Sequence, residues 1–422
     1  MPDTHASAHP LHIAIAGGGI GGLTAALSLA QAGHRVTVFE AVRELKPLGV
    51  GINLLPHAVG VLSGLGLQVA LQDSAIQTEA LVFANRFGQT IYRDLRGLAG
   101  GYAHPQLSIH RGSLHMILAG AVREQLGPQS LRTGLRVTGC ALQENGVAIH
   151  LVDAEGRGSE FAADLLIAAD GIHSAIRAQF YPEEGPPKWN GMMMWRGVTE
   201  GAPFMGGRTM VQAGNKYAKF VVYPISRAHL DRGKSLINWI CDIRVADGIG
   251  GTLTAPSRED WSKPGRIEDL LPTFGDWQFE WLNVPAIIRG AQSIYEWPMV
   301  DRDPLPRWSF GRTTLLGDAA HPMYPIGSNG ATQAILDAQT LAQSLSQISD
   351  PALALQDYEA KRRPMTASIV QMNRQEGLDI ILDMVDERAP QGFARLHDVI
   401  DPAQIEAVVQ RYKAAAGHQQ AV

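Results

Sequence analysis

The sequence predicts an α/β protein: a parallel sheet flanked by helices, interrupted by a β-rich insertion and followed by C-terminal helices. Three observations predict it. The apolar run Leu11–Ala16 passes through a cluster of glycines into the helical run Leu23–Ala32, and a strand-like run follows at Arg35–Glu40. A β–α–β unit of about 30 residues is the building block of parallel sheets. The texture changes after about Tyr181, where Trp189, Trp195, Tyr217, Tyr223, Trp239, Tyr295 and Trp297 accumulate among strand-like runs such as YAKFVVYPI and SLINWICDI. Arg312–Asp318 then returns to the buried-strand style of the N-terminal part, so the first domain is discontinuous. The expected segments are 11–180 and 301–375 for the two parts of the parallel-sheet domain, 181–300 for the inserted β-rich domain and 376–422 for a C-terminal helical segment.

Each element has a local reason. Gly33 suits the C-cap of the first helix. Val36, Thr37 and Val38 give the second strand a β-branched core. Asn53–Leu65 reads as a helix, and so does the run from Ser113, with a Ser N-cap and a Gly stop. Val147–Asp170 reads as a hairpin followed by a buried strand. From Asp337 onward the pattern is helical with charged faces, and the basic run Tyr358–Pro364 reads as a solvated surface.

Composition narrows the class. A chain of 422 residues with 45% hydrophobic and 18% charged residues has ample core for two domains. A net charge of −5 argues against nucleic acid as the main partner. Cys140 and Cys241 form no disulfide framework, and the 14 histidines show no metal-ligand spacing, so no metal site is expected. Leu11–Gly33 is apolar, but no Lys or Arg precedes it and glycines break it, so neither a signal nor a membrane helix is expected. The expectation is a soluble, cytoplasmic protein, monomer or homodimer.

Gly17-Gly18-Gly19-Ile20-Gly21-Gly22 satisfies GxGxxG between a strand and a helix. Gly17 permits the tight turn, Gly19 lets a pyrophosphate approach the backbone, and Gly22 lets helix and strand pack closely. The helix end beginning at Ile20 then offers free N–H groups and partial positive charge. Glu40 ends the second strand, where a carboxylate accepts hydrogen bonds from an adenosine ribose. These features together predict dinucleotide binding. Two later features favour FAD over NAD. Asp170-Gly171-Ile172-His173-Ser174-Ala175-Ile176-Arg177 is a DGxxSxxR run at a strand end, although Asp170 and Arg177 could equally be a local ion pair. Asp318 ends another strand, and Gly327–Gly330 leads into a second helix start, whose dipole favours the negative charge of a reduced flavin. NAD alone would leave that second site without a role.

With these motifs in order, the chain resembles the single-component FAD-dependent aromatic hydroxylases, the class A flavoprotein monooxygenases, over roughly residues 11–370. Within that family it is similar to phenazine monooxygenases of pyocyanin synthesis and, more distantly, to salicylate hydroxylases, through runs such as PLGVGINL, SIHRG, MWRGVTE, WPMVDRDPLP and LLGDAAHPMYP. The resemblance implies a Rossmann-like FAD domain of the glutathione-reductase type. It implies FAD as cofactor, NADH or NADPH as transient reductant, O2 as cosubstrate and a small aromatic substrate, hydroxylated through a flavin C4a-hydroperoxide. Decarboxylation could accompany hydroxylation. Epoxidation, N-hydroxylation or antibiotic inactivation are alternative outputs, and a non-catalytic flavin-binding redox protein is the alternative from another class.

The family's roles carry over residue by residue. Arg111 would bind the FAD pyrophosphate or ribityl region, Val137 would meet adenine through its backbone, and Asp318 would hold the ribityl and pyrophosphate portion. Gly51 belongs to the same cofactor set. Gly327, Asn329 and Gly330 would cradle the flavin through backbone N–H groups, where many relatives read Gly-Gln-Gly. Asp170 would belong to the motif shared with the nicotinamide cofactor. Tyr223 matches a substrate-facing tyrosine that orients substrate, against the alternative of a packed core aromatic. Trp195, Arg196, Trp297, Met299, Tyr324 and Pro325 are the remaining pocket candidates, with Arg196 also readable as a structural ion pair. Where some relatives have a histidine base this chain has Asn53, and His57, one turn on, reads as structural.

Overall fold

The computed structural model describes residues 10–247, 253–255, 263–375 and 377–415. The strands His12–Ala16, Arg35–Glu40, Leu131–Thr133, Leu165–Ala168 and Thr313–Leu315 form a parallel sheet, with Ser309–Phe310 as an antiparallel edge. Its central strand, Ile13 to Ala16, is fully buried, as expected of a parallel strand covered on both faces. The helix Ile20–Gln31 covers one face and packs against the helix Asn329–Gln347. Gly21 makes that approach possible. A Cβ there would stand 2.9 Å from Leu316 Cδ2 and 3.1 Å from the Ala334 Cβ. Thr313–Leu315 lies beside Leu165–Ala168, so one sheet joins strands from both ends of the chain.

The insertion is a large sheet of eight strands, in which Lys188–Gly201, Ser235–Arg244, Ala218–Pro224 and Thr209–Gly214 are adjacent. Ala80–Ala84 and Thr90–Leu95 extend this sheet, Ala80–Ala84 running parallel to Thr209–Gly214. The stretch 11–180 therefore contributes to both sheets. Alternation along these strands creates two cores. Val82, Trp195, Phe220 and Trp239 pack behind the sheet against Leu270, Phe274 and Val284. Leu81, Phe83, Met210 and Tyr223 pack on the other side against Leu378, Ile381, Val409 and Tyr412 of the C-terminal segment.

Two expected elements shift. Gly51–Leu54 is a strand paired with Gln106–His110, and the helix begins at Pro56, where a missing N–H is tolerated. The helix expected from Ser113 begins at Arg111. The basic run Tyr358–Pro364 is not a solvated face throughout. Tyr358 and Arg362 are buried, Tyr358 donating to the Leu315 carbonyl at 3.1 Å and Arg362 to Asp337 at 2.7 Å. No helix among the described residues is long and apolar enough to cross a membrane.

Candidate active site

The first glycine turn is built as its spacing requires. Gly17 has φ +98°, and a Cβ there would lie 2.8 Å from the Ala169 carbonyl carbon, closer still to its oxygen. A side chain on Gly22 would run into Gly17 and Ile15. A Cβ on Gly19 would meet nothing within 4 Å, so this backbone faces open space. The helix starting at Ile20 has no acidic residue in its first turn, leaving its positive end uncompensated. Glu40 accepts from the N–H groups of Gly18 at 2.8 Å and Val42 at 2.9 Å, which fixes its carboxylate at the mouth of the turn. Val137 lies in the strand Leu135–Leu142, beside a bulge at Thr138.

The DGxxSxxR run meets this turn directly. Gly17 abuts Ala169 and Asp170, and Asp170 accepts from the Ala175 N–H at 2.8 Å. Burial raises the Asp170 carboxyl, against hydrogen bonds from Ser174 and nearby backbone N–H groups, and its Oδ1 is buried without a partner. The local Asp170–Arg177 ion pair is absent. Arg177 instead grips Glu184 and donates to the carbonyls of Ala319 at 3.1 Å and Ala320 at 3.0 Å. It is a strut that ties the second motif to the third.

The third motif holds two charged groups of unusual position. Asp318 and Arg111 lie deep among protein atoms, yet both side chains are exposed, so they line the floor of a cleft. Burial raises the Asp318 carboxyl, with Asp337 adding and His321 and Arg111 opposing. Burial lowers Arg111, and Asp318 opposes. Behind Asp318 lies a network with no clear signal in the sequence. Asp337 accepts from the Gly317 N–H at 3.1 Å, from His321 at 2.6 Å and from Arg362 at 2.7 Å. Burial would raise Asp337, but His321 and Arg362 outweigh it and hold the carboxyl down to about 2.

The loop before the second helix ends in two left-handed residues, Gly327 at φ +68° and Ser328 at φ +60°. Gly330 has open space where a Cβ would be, and this helix too has no acidic residue in its first turn. The loop is pinned from an unforeseen direction. Asn329 is buried and donates to Tyr412 Oη at 2.9 Å, and a Cβ on Gly327 would collide with that same hydroxyl. Nothing in the spacing of the motifs points to residue 412.

The large sheet presents its other wall. Tyr223 is buried on the face that packs against the C-terminal segment, and burial raises its phenol while Arg196 opposes. Burial pushes Arg196 down to about 9, Arg111 adding to the push and Tyr223 and Asp242 opposing. Arg196 is therefore within electrostatic reach of Arg111 on the cleft floor. Its guanidinium lies 5.8 Å from the Trp297 ring centroid. Met299 and Tyr324 meet in one small cluster with Met192 and Ile326, whereas Pro325 is exposed. Trp195 is a correction to the sequence reading. It neighbours Arg196 in one strand, so it points to the opposite face and packs in the rear core. Gly51 docks its short strand onto the large sheet: its N–H donates to Asn238 at 2.6 Å, and a Cβ there would meet Asn238 and Ile225 at 2.7 Å.

Neither Asn53 nor His57 is placed as a base. Asn53 is buried in a chain with Met210, Ser108 and Thr78. Burial and Arg362 push His57 down to about 4, so it is neutral at ordinary pH.

These residues fit FAD. Two uncompensated helix ends, open backbone at Gly19 and Gly330, the orphaned Asp170 Oδ1 and the Arg111–Asp318 floor suit an extended, negatively charged dinucleotide. Comparison with known proteins agrees. Residues 11–211 and 287–373 match the family described as FAD binding domain. The chain is 47% identical over 366 residues to a phenazine 1,6-dicarboxylic acid hydroxylase, PhzS, of Lysobacter antibioticus, covering 86% of this chain and 89% of that one. It is 33% identical to a 3-amino-4-hydroxybenzoate 2-monooxygenase, PtnB3, of Streptomyces platensis, over 89% of each chain. Among solved structures, an HpxO variant of Klebsiella pneumoniae complexed with FAD superposes with a TM-score of 0.73 at 25% identity, covering 97% of both chains. This chain belongs to the FAD-binding-domain family of FAD-dependent aromatic monooxygenases.

Proposed function

We propose that this enzyme hydroxylates a carboxylated aromatic or heteroaromatic ring, and that the residues described above divide the work between cofactor and substrate. The observation that supports the division is the Arg111–Asp318 floor, deep and yet exposed, with the Arg196–Tyr223 face of the large sheet within electrostatic reach. Bound FAD, reduced by NADH or NADPH, supplies the activation of O2 and the transfer of one oxygen atom. The protein does the rest. The helix end at Ile20 and the backbone of Gly17 and Gly19 receive the pyrophosphate. Glu40 and Val137 hold the adenosine end, Asp318 and Arg111 the ribityl linker, and Asp170 stands beside the turn. The N–H groups from Gly327 to Gly330 would hold the pyrimidine edge of the flavin and would favour negative charge there.

Tyr223, Trp297, Met299 and Pro325 form the substrate side. Their largely apolar surroundings exclude water while the oxygen is transferred. Tyr223 orients the ring. It is not a base, because burial raises its phenol. The relative from Lysobacter antibioticus is named for a phenazine dicarboxylic acid, which supports a carboxylated polycyclic substrate. The test is a panel of phenazine, salicylate and hydroxypyridine carboxylates with purified FAD-loaded protein. Each assay would measure NAD(P)H consumption against hydroxylated product. Coupled turnover with one class of acid is expected. NAD(P)H oxidation that no aromatic acid stimulates would refute the reading.

A further inference from the structure

The flavin loop and the Asp318 turn are joined inside the protein by an unbroken chain of buried side chains. Asn329, Gln333 and Asp337 follow one another at intervals of four, so they line one face of the helix Asn329–Gln347. Asn329 Nδ2 donates to Tyr412 Oη at 2.9 Å, Gln333 Nε2 to Asn329 Oδ1 at 3.4 Å, and Arg362 Nη2 to Gln333 Oε1 at 2.6 Å. Arg362 also donates to Asp337 at 2.7 Å, and Asp337 accepts from His321 at 2.6 Å and from the Gly317 N–H at 3.1 Å. All six side chains are at most 5% exposed. One end of the chain therefore lies inside the loop Gly327–Gly330, and the other holds Gly317 and His321 on either side of Asp318.

The charged pair gives the chain a fixed direction. A guanidinium can only donate, so Gln333 must turn its oxygen toward Arg362 and its amide N–H groups toward Asn329. Asn329 must then present its oxygen to Gln333 and its own N–H groups to Tyr412. Neither amide can turn over without breaking the bonds on both of its sides, so the chain holds as a unit. The loop needs such a hold. Ser328 keeps a left-handed φ of +60° without being glycine, a strained conformation that persists only where its surroundings impose it. We propose that this chain ties together the two grips on FAD, and that Gln333 and Tyr412 are positioning residues: both act through the loop and the turn, not on the cofactor itself. The flavin end and the ribityl end are then set as one body. Tyr412, which lies beyond the matched family region ending at residue 373, shares control of the flavin. The proposal rests on the placement of the cofactor described above and adds how the protein keeps its two ends in register.

The experiment follows FAD release from the diluted holoenzyme, by the rise in flavin fluorescence, for wild type, Gln333→Met, Tyr412→Phe and the double variant. Methionine fills the space of glutamine without its donor or its strong acceptor. Arg362 keeps Asp337 and the Gln333 carbonyl at 3.3 Å, so no charge is left unpaired. Each single variant should release FAD about three- to tenfold faster. The double variant should stay within about twofold of the faster single, because a chain cut once is already cut. The visible circular dichroism of the bound flavin should change in all three. Ser344→Ala removes a buried hydrogen bond to Asp357 from the same helix but outside the chain, and should leave both measurements as in wild type. If Gln333→Met does not fold, Gln333→Leu takes its place in the cycle. Single effects that multiply in the double variant, no effect in either single, or the same changes in Ser344→Ala would each overturn the tie. Release that is unchanged in Asp318→Ala as well would overturn the placement of the cofactor on which the tie rests.

Discussion

Gly327→Ala probes how tightly the flavin loop is held, and its cost can be worked from two separable effects. Gly327 sits at φ +68°, so an alanine there bears left-handed backbone strain of about 1 kcal/mol. Its methyl would also overlap Tyr412 Oη and stand 2.9 Å from Tyr412 Cζ and 3.0 Å from Asn329 Nδ2. Over-packing of this kind costs about 1–3 kcal/mol, for a total near 2–4 kcal/mol. Tyr412→Phe removes the nearest atom and the hydrogen bond to Asn329, which alone costs about 1 kcal/mol. The double variant should therefore be more stable than the sum of the singles by about 1–2 kcal/mol, because the phenylalanine relieves the overlap and leaves the backbone strain. The assay is guanidinium unfolding of all four proteins at one saturating FAD concentration, followed by circular dichroism. Additivity within about 0.5 kcal/mol would refute the claim that Tyr412 sets the shape of the loop.

Asp318→Ala should weaken FAD retention about 10- to 100-fold, measured by flavin release on dialysis, since a charge-assisted hydrogen bond contributes about 1.5–3 kcal/mol. Tyr223→Phe should retain full FAD and change only kcat/KM, and full occupancy in Asp318→Ala would remove Asp318 from the cofactor site. Asp337 is held at about 2 when folded against 3.8 as its ordinary value, so its contribution to stability is present above pH 4 and is lost as pH falls toward 2. Asp337→Asn should lose about 2 kcal/mol at pH 6 relative to wild type, and the gap should shrink in acid; a gap independent of pH would contradict the network. His57, lowered to about 4, is neutral throughout the working range, so His57→Gln should leave the pH profile of kcat/KM unchanged between pH 6 and 9. Loss of a limb of that profile would show that His57 takes part in proton transfer.

The two glycine turns and the buried strands were legible because their constraint is local. A residue such as Gly17 must be glycine for reasons that lie within a few residues and one neighbouring strand. The return of the chain to the parallel sheet at Thr313–Leu315 was legible because parallel strands share a composition. What sequence could not give was the partner of a residue when that partner lies far along the chain. Arg177 looked like the mate of Asp170, seven positions away, but its guanidinium reaches the carbonyls of Ala319 and Ala320. Trp195 was grouped with Arg196 by proximity in sequence, whereas a strand sends adjacent residues to opposite faces. The strands Ala80–Ala84 and Thr90–Leu95 carry no mark that they belong to a sheet assembled mostly after residue 188. Arg362 read as surface because its run is basic, although a buried carboxylate on the preceding helix, Asp337, claims it.

The hydrogen bond between Asn329 and Tyr412 spans 83 residues of chain. During synthesis at about 5–20 residues per second, Tyr412 is made some 4–17 s after the loop it fixes. The turn at Gly17 also waits on later chain, because it rests on Ala169 and Asp170 and its helix packs on Asn329–Gln347. The loop before Asn329 is fixed last, once nearly all of the chain has emerged, and a chain released before Tyr412 is made lacks the hydrogen bond that holds it.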